Sequence, residues 1–159
     1  MDQGPLVAVE VSLRVALGLR ILYSGVSNVA RWPHAIGTAR VVFPRGTTFF
    51  ALLGVAFMVL GGIGLALGLQ TRVAAFLIAT FLLPTFEIQR QRLQTLPHAL
   101  ESALVKISEA DTKEEVRRLG RHAIHAYEIG WQNNLVLLLA AVFFLIRGSI
   151  AFGLDNLLG

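Results

Sequence analysis

Residues 46–71 form a stretch of 26 positions without a single charged side chain. A helix rises about 1.5 Å per residue, so this stretch is long enough to cross a hydrocarbon core about 30 Å thick. The whole chain is 55% hydrophobic and only 15% charged, which is too few charges for an ordinary soluble surface. The sequence therefore predicts an all-α protein that is integral to a membrane.

Four apolar stretches predict a membrane four-helix bundle that forms one domain over residues 1–159. Hydropathy, prolines and glycines bound the four spans at about 5–30, 47–69, 72–90 and 130–153. The uncharged part of the third span is short, so this helix has to continue past Glu87 if it is to cross.

The stretch between the third and fourth spans, residues 91–128, is expected to be a polar, partly helical loop. One helix is predicted from about Pro97 to Ser108. A second begins at Asp111 or Thr112, where Thr112 and Glu115 have the spacing of a capping box.

Basic residues are concentrated in two connections, 31–46 and 88–128. The positive-inside rule then places both loops in the cytoplasm and both termini outside. These residues lie near the ends of apolar segments, and no aromatic residues are interleaved with them on a soluble face. The pattern favours contact with membrane lipid and argues against a nucleic-acid partner. A protein partner or a second copy of the chain is also expected.

The chain contains no cysteine. This excludes thiolate nucleophiles, disulfide exchange, and zinc or iron–sulfur sites held by cysteine. No intrinsic cofactor is expected, so the electrons of any redox reaction have to pass through something that the protein binds.

A polar stripe runs along the first span. At 100° per residue, one face of this helix carries Glu10, Arg14, Gly18, Ile21, Gly25 and Asn28. An ionised group facing lipid costs about 3 kcal/mol, so the stripe should face protein or a water-filled cavity. Glu10 precedes Arg14 by four residues, which leaves two interpretations: a structural ion pair, or an arginine that meets a ligand.

Two other intramembrane polar groups leave similar alternatives open. Arg147 interrupts the fourth span, and Asp155 follows about two turns later. They form either a structural ion pair or, at Arg147, a contact to an anionic or carbonyl-bearing ligand. Asn133 lies on roughly the same face, and a buried amide needs a partner on a neighbouring helix or a ligand.

A third set of polar residues precedes the fourth span. His122, His125 and Glu128 share one helical face because they follow each other at intervals of three. Two imidazoles and a carboxylate at this spacing can hold zinc or iron. A solvated helix face without a metal is the alternative.

Several segments resemble the DoxX family of membrane proteins. They are Leu13 to Gly18 followed by Tyr23-Ser24-Gly25, Gly61-Gly62 through Gly68 to Arg72 followed by Ala74-Ala75, and Arg147-Gly148-Ser149 through Gly153-Leu154-Asp155. The resemblance implies a four-helix bundle of the prokaryotic cytoplasmic membrane. It also implies association with respiratory or redox complexes, as in a subunit of a thiosulfate:quinone oxidoreductase.

The resemblance carries over a set of mostly structural positions. They are Arg14, Gly18, Gly25, Gly68, Arg72, Gly148 and Asp155. Two positions depart from the family pattern, because Asn28 stands where relatives commonly have a lysine and Met58 where they commonly have a glutamate.

Three functions are compatible with these observations. The first is a membrane subunit of a respiratory or redox assembly, an accessory subunit more than an independent enzyme, with a quinone bound between its helices. The candidate ligand-binding residues are Arg14, Tyr23, Asn28, Glu87, Asn133 and Arg147. The second is a structural or assembly protein that docks a soluble partner through loop 91–128. The third is a metal-dependent membrane enzyme that uses His122, His125 and Glu128.

Overall fold

The computed structural model describes residues 4–149 and 153–154. It contains five helices: α1 (Gly4–Ala30), α2 (Trp32–Val42), α3 (Thr47–Leu67), α4 (Thr71–Lys106) and α5 (Ala110–Arg147). The described residues include no strand, so the all-α prediction is confirmed.

Three of the described helices, α3, α4 and α5, are long and apolar enough to cross a membrane. Helix α1 is not among these three, because Glu10, Arg14 and Arg20 interrupt its apolar run. Its place in the bundle follows from packing, because the polar stripe is turned inward. Glu10, Arg14, Gly18, Ile21 and Gly25 are all buried in the structure, as their helical spacing predicts.

Helices α1 and α3 approach each other closely at glycines. A Cβ atom added to Gly18 would lie 2.5 Å from the backbone N of Ala66 and 2.7 Å from the carbonyl O of Gly62. A Cβ on Gly62 would in turn lie 2.7 Å from the backbone N of Leu22. Such contact requires glycine, and it is the small-residue packing that holds helices together in a bilayer.

Helix α4 packs on another face of α3. Cβ atoms added to Gly61 and Gly64 would meet Ile78 and Ala74, at 2.8 and 2.9 Å. The glycines of α3 therefore allow close packing against both α1 and α4. The core that results consists of buried side chains from α1, α3, α4 and α5: Leu17, Ile21, Met58, Leu65, Ala74, Ala75, Ile78, Ala79, Leu82, Ala141 and Phe144.

The stretch 91–128 differs from its prediction as a partly helical loop. Helix α4 continues unbroken to Lys106, and α5 begins at Ala110. Residues 91–106 and 110–128 therefore extend the membrane hairpin as two paired helices, which we call the arm. At 1.5 Å per residue, residues 91–106 add about 24 Å to α4.

Packing inside the arm explains why it stays helical. Gly120 of α5 leaves room for Leu100 of α4, since an added Cβ would lie 2.4 Å from Leu100 Cδ1. Pro97 was expected to begin a helix, but it lies inside α4. Its ring removes one backbone hydrogen bond, and water can satisfy the freed carbonyl in a hairpin that stands outside the apolar spans.

The predicted capping box in the arm is not formed. The N-cap residue of α5 is Glu109, without a side-chain cap hydrogen bond. The Thr112 hydroxyl instead donates to Glu109 Oε2 at 2.8 Å. The helix starts earlier than predicted, and the Thr112 hydroxyl is bonded to the Glu109 side chain and does not cap a backbone N–H.

The connection 31–46, expected as a loop, contains the short helix α2. Helix α1 ends at Ala30, and Pro33 lies in the first turn of α2, where a missing N–H costs nothing. Ala35 and Ala39 bury one face of α2. This helix covers the same end of the bundle as the base of the arm.

Candidate functional site

An apolar cavity of about 120 Å³, which we call the inner chamber, lies between the end of α1 and helices α2, α3 and α4. Its wall is formed by Asn28, Ala35, Thr38, Ala39, Phe43, Phe50, Ala51, Gly54, Val55, Met58, Phe81, Pro84, Thr85 and Ile88. Four of the eight lining positions on α2 and α3 carry alanine or glycine. The small side chains leave space that the neighbouring helices do not fill.

Aromatic rings and one amide define the character of the inner chamber. Phe43 and Phe50 stack with ring centroids 4.1 Å apart and an interplanar angle of 13°. Asn28 Nδ2 donates to Met58 Sδ at 3.6 Å. A thioether is a weak acceptor, so the amide can exchange this partner for a carbonyl oxygen at little cost.

A second cavity of about 410 Å³, which we call the mouth, adjoins the inner chamber and shares Thr38, Thr85 and Ile88 with it. The mouth is lined by Pro33, His34, Gly37, Thr38, Thr85, Ile88, Gln89, Arg92, Tyr127 and Asn134. Its lining contains one arginine and one histidine and no carboxylate. An apolar chamber therefore opens towards a polar, basic entrance.

Thr85 and Asn134 tie α4 to α5 at the boundary between the two cavities. Asn134 Nδ2 donates to Thr85 Oγ1 at 2.9 Å, and the Thr85 hydroxyl donates to the carbonyl of Leu82 at 2.5 Å. The pair fixes the wall that the chamber and the mouth have in common.

A charged cluster lies at the opposite end of the bundle. Arg14 is 1% exposed and its guanidinium donates to Ser149 Oγ, while Nη1 lies 3.9 Å from Glu10 Oε1. Gly68 and Gly153 enclose the guanidinium so closely that a Cβ on either would lie within 3 Å of Nη1. Arg14 is thus enclosed by protein and takes no part in either cavity.

The backbone closes this end as well. The Leu154 N–H donates to the carbonyl of Leu67 at 3.2 Å, which joins the segment after α5 to the end of α3. Gly68 has a φ of +64°, a conformation that suits glycine. We call the cluster of Glu10, Arg14, Gly68, Ser149 and Gly153 the sealed end.

Comparison with protein-family models matches residues 10–88 to DoxX. These residues form a DoxX domain. The match confirms the resemblance for α1 to the middle of α4. Comparisons with curated proteins and with solved structures gave no match.

The DoxX domain supplies every residue that lines the inner chamber. The mouth is different, because Gln89, Arg92, Tyr127 and Asn134 lie after the matched residues. The base of the arm thus completes an entrance to a chamber that belongs to the family domain.

The candidate ligand-binding residues do not form one site. Asn28 lines the inner chamber. Tyr23 is 69% exposed and shares a shallow cleft with Asn28, Arg31 and His34. The structure therefore brings only Asn28, of the six candidates, to the chamber wall.

Glu87 is engaged by its own helix. Its two carboxylate oxygens accept hydrogen bonds from Arg90 Nε and Nη2 and from Gln91 Nε2, each at 2.8 Å. It lines a separate cleft beside Trp131. With these donors in place, the carboxylate is not directed at the inner chamber.

The candidates on α5 also lie outside both cavities. Asn133 is exposed, and its neighbour Asn134 is the amide that reaches α4. Arg147 is exposed and its guanidinium lies 5.9 Å from the centroid of Phe143. The predicted partner of Arg147, Asp155, lies outside the described residues.

The histidines of the arm do not converge on a metal site. His125 Nδ1 lies 3.2 Å from Glu128 Oε2, and His122 is exposed on the same helix. Among the residues that the structure describes, no group of three His, Asp or Glu side chains is placed to hold a metal ion.

Sequence reasoning did not find the mouth. Arg92 and Tyr127 are 35 positions apart in the chain, and His34 lies on a different helix again. The alanines and glycine that leave the chamber open, at Ala35, Ala39 and Gly54, were a signal present in the sequence. Their meaning depends on which helices face each other.

Proposed function

We propose that this DoxX-domain protein is a membrane subunit of a redox assembly that holds the ring of a quinone in its inner chamber and has no redox centre of its own. The observation that carries the proposal is the apolar chamber with the Asn28 amide in its wall. The proposal also draws on the redox association that the DoxX resemblance implies.

The size and lining of the chamber suit one aromatic ring. An engineered apolar cavity of about 150 Å³ in another protein binds benzene, so a chamber of about 120 Å³ is close to the volume of a single ring. Phe43, Phe50 and Phe81 supply aromatic surface. A quinone carbonyl accepts a hydrogen bond, and Asn28 Nδ2 offers one in exchange for its weak thioether acceptor.

The second carbonyl of such a ring needs a polar or hydrated environment. A para-quinone carries carbonyls at opposite sides of its ring, and the chamber opens to the polar mouth at Thr38 and Thr85. One carbonyl then meets Asn28 while the other faces the mouth. The chain's part in electron transfer is to orient the ring for a partner subunit that supplies the electrons.

Binding can be measured on the purified protein in mild detergent with a short-chain benzoquinone as the probe. We expect saturable binding by the wild type and at least tenfold weaker binding by Gly54→Leu, whose side chain enters the chamber. A Cβ at Gly54 would meet Phe81 only at 3.5 Å, an ordinary contact, so the variant should fold.

The matched control is Leu52→Phe, which enlarges a side chain on the same helix at a position that is 59% exposed on the lipid-facing surface. It should bind like the wild type. Absence of saturable binding in the wild type, or equal binding by the Gly54→Leu variant, would show that the chamber does not hold the quinone.

A second candidate function, docking of a soluble partner, is favoured by the arm. Helices α4 and α5 continue far beyond their apolar parts and stay paired at Leu100 and Gly120. A paired, solvent-facing hairpin offers a surface to which another protein can bind.

Replacing residues 97–120 with a short glycine-rich turn should abolish recovery of a co-purifying polypeptide and leave quinone binding unchanged. Recovery of the same polypeptide without the arm would refute this function.

A further inference from the structure

We infer that the mouth binds the phosphate of an anionic phospholipid, a site distinct from the ring-binding chamber beneath it. The inference stands on the position of the mouth, on its charge and on its shape, and it does not require that a quinone occupies the chamber.

The mouth lies at the level where lipid headgroups are expected. On α4 the uncharged stretch ends at Phe86, and on α5 the last charged residue before the apolar span is Glu128. Phe86 and Trp131 contact each other edge to face with centroids 5.9 Å apart. Tryptophan is enriched where a bilayer meets water, so this pair marks the interface beside the mouth.

Arg92 is the arginine among the residues that line the mouth. Two arginines of the same helices are paired with carboxylates, Arg90 with Glu87 at 2.8 Å and Arg117 with Glu114 at 2.7 Å. Arg92 forms no such ion pair with the described residues, and none of the mouth's lining residues is acidic. Arginine matches phosphate oxygens with two parallel donors.

Neutral donors complete the site around Arg92. His34 and Tyr127, which carry an imidazole and a hydroxyl, line the same cavity from α2 and α5. Three helices thus contribute residues with N–H or O–H donors to one space of about 410 Å³, which exceeds the inner chamber more than threefold. This is enough for a phosphodiester with part of its glycerol.

The surroundings favour a lipid over a free phosphate. Leu135, the residue after Asn134 of the mouth, is an exposed apolar side chain, and the chamber that adjoins the mouth is apolar. A molecule with a phosphate at one end and acyl chains at the other satisfies both surfaces. Basic pockets between transmembrane helices are known to select such headgroups.

The experiment compares thermal unfolding of the protein in detergent with added phosphatidylglycerol or phosphatidylcholine. At saturating lipid we expect phosphatidylglycerol to raise the melting temperature by about 5 °C and phosphatidylcholine to have a much smaller effect. Arg92→Gln should lose this difference. Arg90→Gln is the matched control, because it removes the same charge two residues away on the same helix, and it should keep the difference.

A second measurement covers the case in which Arg92→Gln does not fold. Native mass spectrometry of the wild type should show one retained phosphatidylglycerol, and Arg92→Lys should retain it more weakly. Equal stabilisation by phosphatidylcholine, or equal loss in the Arg90→Gln and Arg92→Gln variants, would overturn the inference. So would a full shift produced by glycerol phosphate alone, since the site would then bind a free phosphoester.

Discussion

The two ends of this bundle treat polar groups in opposite ways. At the sealed end, Arg14 is 1% exposed and is enclosed by Ser149, Gly68 and Gly153, with Glu10 close by. At the open end, the polar groups line cavities, and Arg92 lacks an ion-pair partner among the described residues. The comparison teaches that charge inside a membrane protein can serve either packing or binding, and that the space around the charge decides which.

The space around glycine residues also differs between the two ends. At Gly68 an added Cβ would lie 2.5 Å from Arg14 Nη1 and 2.6 Å from Gly153 Cα. At Gly54, in the chamber wall, it would lie 3.5 Å from the ring of Phe81. One glycine permits contact and the other leaves space, so equal substitutions at the two ends should have unequal effects.

Removing the buried cation should have the largest effect. Arg14→Met leaves Glu10, which is 5% exposed, as a buried carboxylate without its positive neighbour. We expect a loss of about 3–5 kcal/mol in unfolding free energy. The measurement is chemical unfolding in detergent. The double variant Glu10→Leu with Arg14→Met should recover part of the loss, and a double variant no better than the single one would show that the two charges do not interact.

The glycine comparison comes next. Gly68→Ala should cost about 3 kcal/mol, because it combines a φ of +64° with overpacking against Arg14. Gly54→Ala should change stability by less than about 0.5 kcal/mol. Melting temperatures of the two variants, measured side by side in one detergent, check this. Equal destabilisation would remove the distinction between the ends.

Filling the inner chamber with a larger side chain should stabilise the protein. Ala39→Leu adds methylene groups to a chamber wall of about 120 Å³ and should raise the unfolding free energy by about 1 kcal/mol. The same variant should weaken binding of the benzoquinone probe, since both occupy one space. If the Ala39→Leu variant were less stable than the wild type and still bound the probe normally, the added side chain would not occupy free space in the chamber.

The smallest expected effect concerns the link between α4 and α5. Thr85→Val removes the acceptor of the 2.9 Å hydrogen bond from Asn134 and keeps the side-chain shape. Hydrogen bonds between membrane helices average about 0.6 kcal/mol, so the loss should be of that size. Asn134→Leu offers the reciprocal test, and the double variant should cost no more than either single one if the bond is the whole effect.

Much of the fold could be predicted from residue patterns alone. Uncharged length indicates α3 and the apolar parts of α4 and α5, and helical spacing places Glu10 and Arg14 on the buried face of α1. Both signals are local, since they depend on residues a few positions apart. Helix α2 was not predicted, because an 11-residue segment between two spans has no comparable signal.

The candidate site was harder to predict because it depends on contacts between distant segments. Asn28 was predicted from its place on the polar stripe, and it lines the chamber. His34, Arg92 and Tyr127 come together because α4 runs on to Lys106 and α5 begins at Ala110, in a stretch that was predicted to be a partly helical loop. Voids have no signature of their own in a sequence.

The unbroken course of α4 makes the chamber wall and the far end of the arm parts of one helix. Ile88 belongs to the chamber wall, and the same helix ends about 27 Å away at Lys106. A protein bound at the end of the arm and a ligand in the chamber would therefore contact one shared element, so the binding of either can be measured with the other present and absent.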